Sequence, residues 1–188
     1  MSNVLAPIPE PFSPEIAEIL AQYPQRDGYI LALFRTFANS VRFLRKGVPN
    51  LLDKRSPLSI RQREIVILRV TARTDCEYEW GVHAAAFGER IGLTREQIVA
   101  TRAGRHDSPC WSTEDSLLIR AVDDVCDHAI VSEAILQEFQ RAWTVEQQLE
   151  ILALCGAYHT VSFVANTARL AREPFAERFP SQVTPQAR

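Results

Sequence analysis

Helix-start signals recur along this chain and constrain what it can fold into. Capping boxes, in which a Ser or Thr precedes Glu or Gln by three residues, occupy Ser59–Gln62, Thr74–Glu77 and Thr94–Gln97. By composition the apolar run Ile65–Val70 could form a buried strand, but no turn signal separates it from the residues before it. No segment alternates cleanly between apolar and polar residues. The sequence therefore predicts an all-α fold of about seven or eight helices.

The 188 residues, of which 46% are hydrophobic, fit a single domain. Prolines crowd residues 1–14, so we expect an extended arm there, either disordered or laid across a neighbouring subunit. The helical domain is expected over 15–175, followed by a C-terminal tail over 176–188. An extended arm and many apolar helices would leave exposed patches on a monomer, which favours a homo-oligomer. The predicted helices are one capped by Ser13, Tyr29–Arg45, Ser59–Arg73, Thr74–Gly92, Thr94–Ala103, Thr113–His128, Ser132–Ala142 and Thr144–Arg172.

Composition and charge narrow the classes of partner. The formal charge of -2 and the pI of about 6.1 give no reason to expect nucleic acid. The four cysteines show no paired spacing, which indicates free thiols and neither a disulfide framework nor a zinc site. The first residues lack a basic region followed by an apolar stretch, and no window approaches a membrane-spanning length. We therefore expect a cytoplasmic protein that contacts no membrane.

Four side chains that can move protons or attack an electrophile form the candidate catalytic set. Glu64 lies in a strongly apolar helix, where packing alone would not place a carboxylate. Cys76, Glu79 and His83 stand at positions i, i+3 and i+7 of the next predicted helix, which puts them on one face. A buried acid, a thiol, a second acid and a histidine together indicate a reaction site more than a surface.

Cys76 falls near the second position of its predicted helix. Free amides and the helix dipole there favour a thiolate, whereas Glu77 and Glu79 lie within one turn and oppose a second negative charge. The sequence leaves the direction of the pKa shift open. An inert, buried cysteine is the structural alternative.

His83 follows Glu79 by four residues, so the carboxylate can hold the imidazole in one tautomer and raise its basicity. The alternative, which would apply to an isolated histidine, is a pair with a neighbouring side chain that stabilises the fold and has no catalytic role. The same spacing suits metal ligands, but no His-Glu-x-x-His pattern is present, and we expect neither a metal nor a cofactor.

Four further residues are candidates for binding substrate. Tyr78 and Trp80 flank the motif and could line an apolar pocket, although core packing is the commoner role of aromatic residues. Arg63 could neutralise Glu64 or clamp a substrate carboxylate, with a solvated helix face as the alternative. His159 lies in a second long apolar helix, which weakly echoes the first.

At these residues the sequence resembles the carboxymuconolactone decarboxylase family, which includes the alkyl hydroperoxidase D-like (AhpD-like) proteins. The resemblance rests on residues 63–70, 76–83 and 86–98. It implies an all-helical AhpD-like domain that assembles as a trimer or hexamer. It also implies that Glu64 belongs to a proton relay with the motif helix.

The hydroperoxidase branch carries Cys-x-x-Cys followed four residues later by a histidine. Cys76, His83 and the relay Glu64 match this pattern, but Glu79 replaces the second cysteine, which is the one expected to attack peroxide. The resemblance therefore favours acid–base chemistry of the decarboxylase or lyase type on an apolar small molecule bearing a carboxylate or lactone. A thiol peroxidase using Cys76 and a helical oligomer that binds ligand without turnover are the alternatives.

Overall fold

The computed structural model describes residues 5–180, apart from the side chain of Glu89, and confirms the all-α fold. Residues 1–4 of the predicted arm and 181–188 of the predicted tail lie outside the described residues. One two-stranded antiparallel ribbon, β1 (Gln25–Arg26) with β2 (Tyr29–Ile30), precedes the main bundle. The helices are α1 (Pro14–Leu20), α2 (Ala32–Phe37), α3 (Val41–Lys46), α4 (Ile60–Arg73), α5 (Glu77–Ala86), α6 (Arg95–Ala103), α7 (Thr113–His128), α8 (Glu133–Ala142) and α9 (Val145–Thr167).

Helix α4 is the centre of the fold because other helices cover it on all sides. Its residues Ile65–Val70 are almost completely buried, and it packs against α5, α6, α7 and α9. The predicted capping box at Ser59–Gln62 starts α4, and the one at Thr94–Gln97 starts α6. Both boxes have the reciprocal side-chain hydrogen bonds that satisfy free amides at a helix N-terminus.

The third predicted box is wrong. Thr74 ends α4, and its hydroxyl lies 3.0 Å from the Val70 carbonyl oxygen, which satisfies a free acceptor of that helix. Asp75 then turns the chain with a φ of 53°, and α5 begins at Glu77 with Cys76 at its N-cap. At the far end α5 stops at Ala86, and a short 3-10 turn (Gly88–Ile91) replaces the predicted last turn.

Two other predicted helices are shorter than expected. The one over Tyr29–Arg45 is divided, because the Ser40 hydroxyl accepts from the Phe43 amide and starts α3 separately from α2. The last helix ends at Thr167, where the predicted one continued to Arg172. Arg169 adopts a φ of 51°, which is incompatible with a continued helix.

Helix α9 corrects the expectation that no window approaches a membrane-spanning length, since its 23 residues are long and apolar enough by length and composition. Core helices satisfy the same criterion. One face of α9, including Ile151, Leu154 and Ala165, is buried against α4, α5 and α7. Its apolar character is therefore explained in large part by core packing.

The described ends of the chain lie on its own helical bundle. The Asn39 side-chain amide donates to the Ala6 carbonyl at 2.9 Å, so the arm contacts the end of α2. Near the other end, the Glu177 amide donates to the Gly81 carbonyl on α5 at 3.0 Å. A Cβ at position 81 would stand 2.2 Å from the Glu177 carbonyl oxygen, so glycine is required for this approach.

Candidate acid–base site

A buried carboxylate–imidazole pair joins α4 to α5. Glu64 lies in the second turn of α4 and His83 in the last turn of α5, and their Oε2 and Nδ1 atoms are 2.8 Å apart. Only 3% of Glu64 and 4% of His83 is exposed to solvent. The contact links two different helices, and it brings the two residues within direct proton-transfer distance.

A second carboxylate approaches the other nitrogen of the same ring. Glu79 Oε1 lies 3.3 Å from His83 Nε2, along the four-residue spacing within α5. The second oxygen of Glu79, Oε2, is buried and has no hydrogen-bond partner. A buried carboxylate oxygen without a donor is costly, which makes it available to a ligand or a proton.

The sequence did not single out Tyr158 as a site residue, although it adjoins the predicted His159. Its hydroxyl comes from α9 and lies 3.2 Å from His83 Nε2, with the two rings edge to face. Burial raises the pKa of Tyr158 well above its usual value, and the nearby Glu79 and Glu64 add to this effect. Tyr158 is therefore a neutral hydroxyl beside the imidazole.

The two carboxylates determine the charge of His83. Burial alone lowers the pKa of the imidazole, but Glu64 and Glu79 raise it by more, to about 10. At neutral pH His83 is thus an imidazolium whose Nδ1–H donates to Glu64 and whose Nε2–H faces Glu79 and Tyr158. A buried imidazolium between two carboxylates can donate a proton at a pH where a free histidine cannot.

Glu64, Glu79, His83 and Tyr158 together form a buried array. Cys76 is close to this array, but its thiol is not activated. Burial raises the pKa of its thiol to about 11, and the charge on Glu79 contributes in the same direction. The Glu79 amide and the Ser162 hydroxyl oppose the shift without cancelling it. The structure thereby settles the direction that the sequence left open: Cys76 is a protonated thiol at neutral pH. All four cysteines are free.

The residues predicted to bind substrate are directed elsewhere. The Tyr78 hydroxyl donates to the buried Glu173 at 2.6 Å, and the Trp80 indole donates to the Thr101 hydroxyl at 2.9 Å. Arg63 donates to the Asp53 carbonyl at 3.0 Å, although its charge is near enough to act on Tyr158. His159 bonds to the Cys155 carbonyl one turn earlier on α9. The hydrogen bonds of all four are thus made away from the His83 ring.

The surroundings of the array determine how a ligand could reach it and whether a metal ion could bind nearby. Two open clefts of about 400 Å³ each lie on the surface, and neither is lined by Glu64, Glu79 or His83. Phe87 packs on the His83 ring at 5.4 Å between centroids and is itself 38% exposed, so one side chain separates the imidazole from the surface there. Within residues 5–180, no three His, Cys, Asp or Glu side chains are arranged to hold a metal.

Comparison with known proteins shows a family likeness in the region that carries the candidate site. Residues 44–123, which carry Glu64, Cys76, Glu79 and His83, match the sequence model of the carboxymuconolactone decarboxylase family. Over that segment the chain is similar to this family, in agreement with the predicted resemblance. No curated protein matches the chain.

A solved structure supports the fold. It is the crystal structure of a protein of unknown function from Agrobacterium tumefaciens, described as a candidate antioxidant defence protein AhpD. The two structures align with a TM-score of 0.57 at 19% sequence identity, over 62% of this chain and 80% of that chain. At this identity the likeness concerns the helical architecture and not the chemistry.

Proposed function

We propose that this protein is an acid–base enzyme of the decarboxylase or lyase type that acts on an apolar small molecule bearing a carboxylate or lactone. The observation that carries the proposal is the buried His83 imidazolium held between Glu64 and Glu79. Structural ion pairs are common at surfaces, but two carboxylates around one buried histidine, with one oxygen left unpartnered, are more typical of a site.

Each member of the array has a distinct part in the proposed reaction. Glu64 fixes the ring orientation through Nδ1–H, so that proton transfer to the substrate uses the Nε2–H, which faces Glu79 and Tyr158 before substrate binds. In a decarboxylation the carbon–carboxylate bond breaks, carbon dioxide leaves, and the bonding electron pair moves into a conjugated carbonyl. The pair then returns to the carbon, which takes a proton from His83 Nε2. The unpartnered Glu79 Oε2 is placed to take a proton in an isomerisation or lactone opening.

The thiol peroxidase alternative has less support from the geometry. A peroxidatic cysteine reacts as a thiolate, whereas the pKa of Cys76 is raised to about 11 and the side chain is buried. Glu79 occupies the position where a neighbouring cysteine would close a local disulfide. Cys76 is better placed to shape the array through Ser162 and the Glu79 amide.

The test compares variants on one substrate panel of lactones, keto acids and unsaturated carboxylic acids, with an organic hydroperoxide and dithiothreitol assayed in parallel. His83→Ala should lower the rate by about 10²–10⁴, the usual contribution of a general acid or base, and Cys76→Ser by much less. His128→Ala, at the exposed end of α7, is the matched control and should leave the rate unchanged.

The opposite ranking would refute the proposal. A Cys76→Ser variant without activity beside an active His83→Ala variant would establish thiol chemistry, since serine cannot replace a nucleophilic thiolate. Binding of panel compounds without turnover would favour the ligand-binding oligomer.

A further inference from the structure

Helix α9 leaves an apolar face uncovered opposite its buried one. Val145, Leu149, Leu152 and Phe163 are exposed to 73, 63, 40 and 63% respectively. They succeed one another at the three- and four-residue steps of a single helix face, with Gly156 in the interval between Leu152 and Phe163. Single exposed apolar residues are ordinary, but an aligned row along a helix is typical of an interaction surface.

Gly156 is the unusual member of this row. It is exposed within a 23-residue helix, where glycine is disfavoured because it loses more backbone freedom than other residues. A Cβ at this position would meet no atom within 4 Å, so packing within the chain does not require glycine. A glycine does allow the backbone of a second helix to approach closely.

We propose that α9 pairs with α9 of a second copy of this chain, antiparallel about a two-fold axis at Gly156. Such an axis brings together residues at equal distances before and after the glycine. Leu149 then meets Phe163 of the other copy, and Leu152 meets Thr160. Gly156 lies where the two helices cross, and the large side chains lie on either side of the crossing. The face is therefore complementary to itself, as an isologous contact requires.

Charges at the two ends of the helix suit the same arrangement. Glu146 is in the first turn and Arg169 follows the last, and neither has an ionic partner among residues 5–180. In an antiparallel pair Glu146 of each copy lies near Arg169 of the other, and the two helix dipoles oppose each other favourably. A parallel pair would place like ends together.

The size and symmetry of the contact predict its behaviour. A strip about 34 Å long and about 10 Å wide covers about 340 Å² per copy, less than the roughly 800 Å² of a standard interface. On its own this pairing should therefore weaken on dilution. A two-fold contact also generates even-numbered assemblies, such as a dimer or a hexamer of three pairs, and not a closed trimer. The proposed contact between α9 helices does not depend on the proposed acid–base reaction.

Sedimentation velocity over a dilution series of the full chain tests this interface. The wild-type mass should rise with concentration to an even number of chains. Leu149→Glu and Phe163→Glu should each raise the dissociation constant more than about tenfold, because a charge would be buried at the contact. Ile130→Glu, at a position 60% exposed but outside α9, is the matched control and should change nothing.

Gly156→Ala separates pairing from folding. Alanine should raise the unfolding temperature of the dilute protein, because it favours helix and meets no neighbour, while it weakens the association. Gly156→Cys should form an intermolecular disulfide on mild oxidation, whereas Ile130→Cys should not. A wild-type chain that stays monomeric, an odd-numbered mass, or association insensitive to Phe163→Glu would overturn the proposal.

Discussion

Replacing Glu64 with Gln should reveal how strongly the buried array depends on charge. The pKa of His83 is raised from 6.5 to about 10 in the folded protein. A group with a raised folded pKa contributes stability that is fully present below its unfolded pKa and is lost as the pH rises through its folded pKa. At about 1.4 kcal/mol per pKa unit, the shift corresponds to on the order of 5 kcal/mol.

Glu64→Gln keeps the shape of the side chain but removes the carboxylate 2.8 Å from the imidazole. We expect a loss of about 3 kcal/mol in the free energy of unfolding at pH 6.5, the cost of breaking a buried pair. The difference between the two proteins should shrink as the pH rises towards 10, where His83 of the wild type becomes neutral.

Urea unfolding followed by tryptophan fluorescence, at several values between pH 6 and 10.5, measures both quantities. Glu138→Gln on the exposed face of α8 removes a carboxylate without burial and serves as the control. Parallel stability curves for wild type and Glu64→Gln across this range would refute the reasoning, because they would show that Glu64 does not stabilise a charged His83.

Three further outcomes follow from the geometry. Gly81→Ala should lower the free energy of unfolding by about 1–3 kcal/mol in urea titrations, because its Cβ would overlap the Glu177 carbonyl; an unchanged value would contradict that approach. Tyr158→Phe should lower kcat by about tenfold, since one hydroxyl is lost at His83 Nε2, and an unaffected kcat would exclude the tyrosine from the site. Iodoacetamide at pH 8 should label the partly exposed Cys110 before the buried Cys76, as mass spectrometry can show; the reverse order would restore a reactive Cys76.

The parts of the fold predicted correctly are those governed by local signals. Helices α4 and α6 begin where the capping boxes place them, since a Ser or Thr hydroxyl and a Gln side chain act within four residues. The same pattern at Thr74 was misleading because a threonine can also terminate the preceding helix, and the sequence does not show that Asp75 reverses the chain. The position of a helix end therefore depends on whether such a threonine caps the next helix or terminates the preceding one.

Contacts of the site within one helix were predictable from the sequence, whereas contacts between distant parts of the chain were not. The Glu79–His83 spacing is a property of one helix and was accessible from the sequence. The pairing of Glu64 with His83 came from the family resemblance, because the two lie on different helices. Tyr158 is 75 positions beyond His83, and no spacing rule connects them. The pKa of Cys76 required the extent of its burial, which only the packed structure supplies.

The charge of His83 is the central claim, and NMR titration of its ring measures it most directly. Labelled imidazole nitrogens should be followed from pH 5 to 11, with the resonance assigned by comparison with His83→Gln. We predict that His83 remains doubly protonated through neutral pH and titrates near 10, unlike a histidine with an ordinary pKa. A ring that is neutral at pH 7, or that titrates near 6.5, would contradict the imidazolium between two carboxylates and the proton donor built on it.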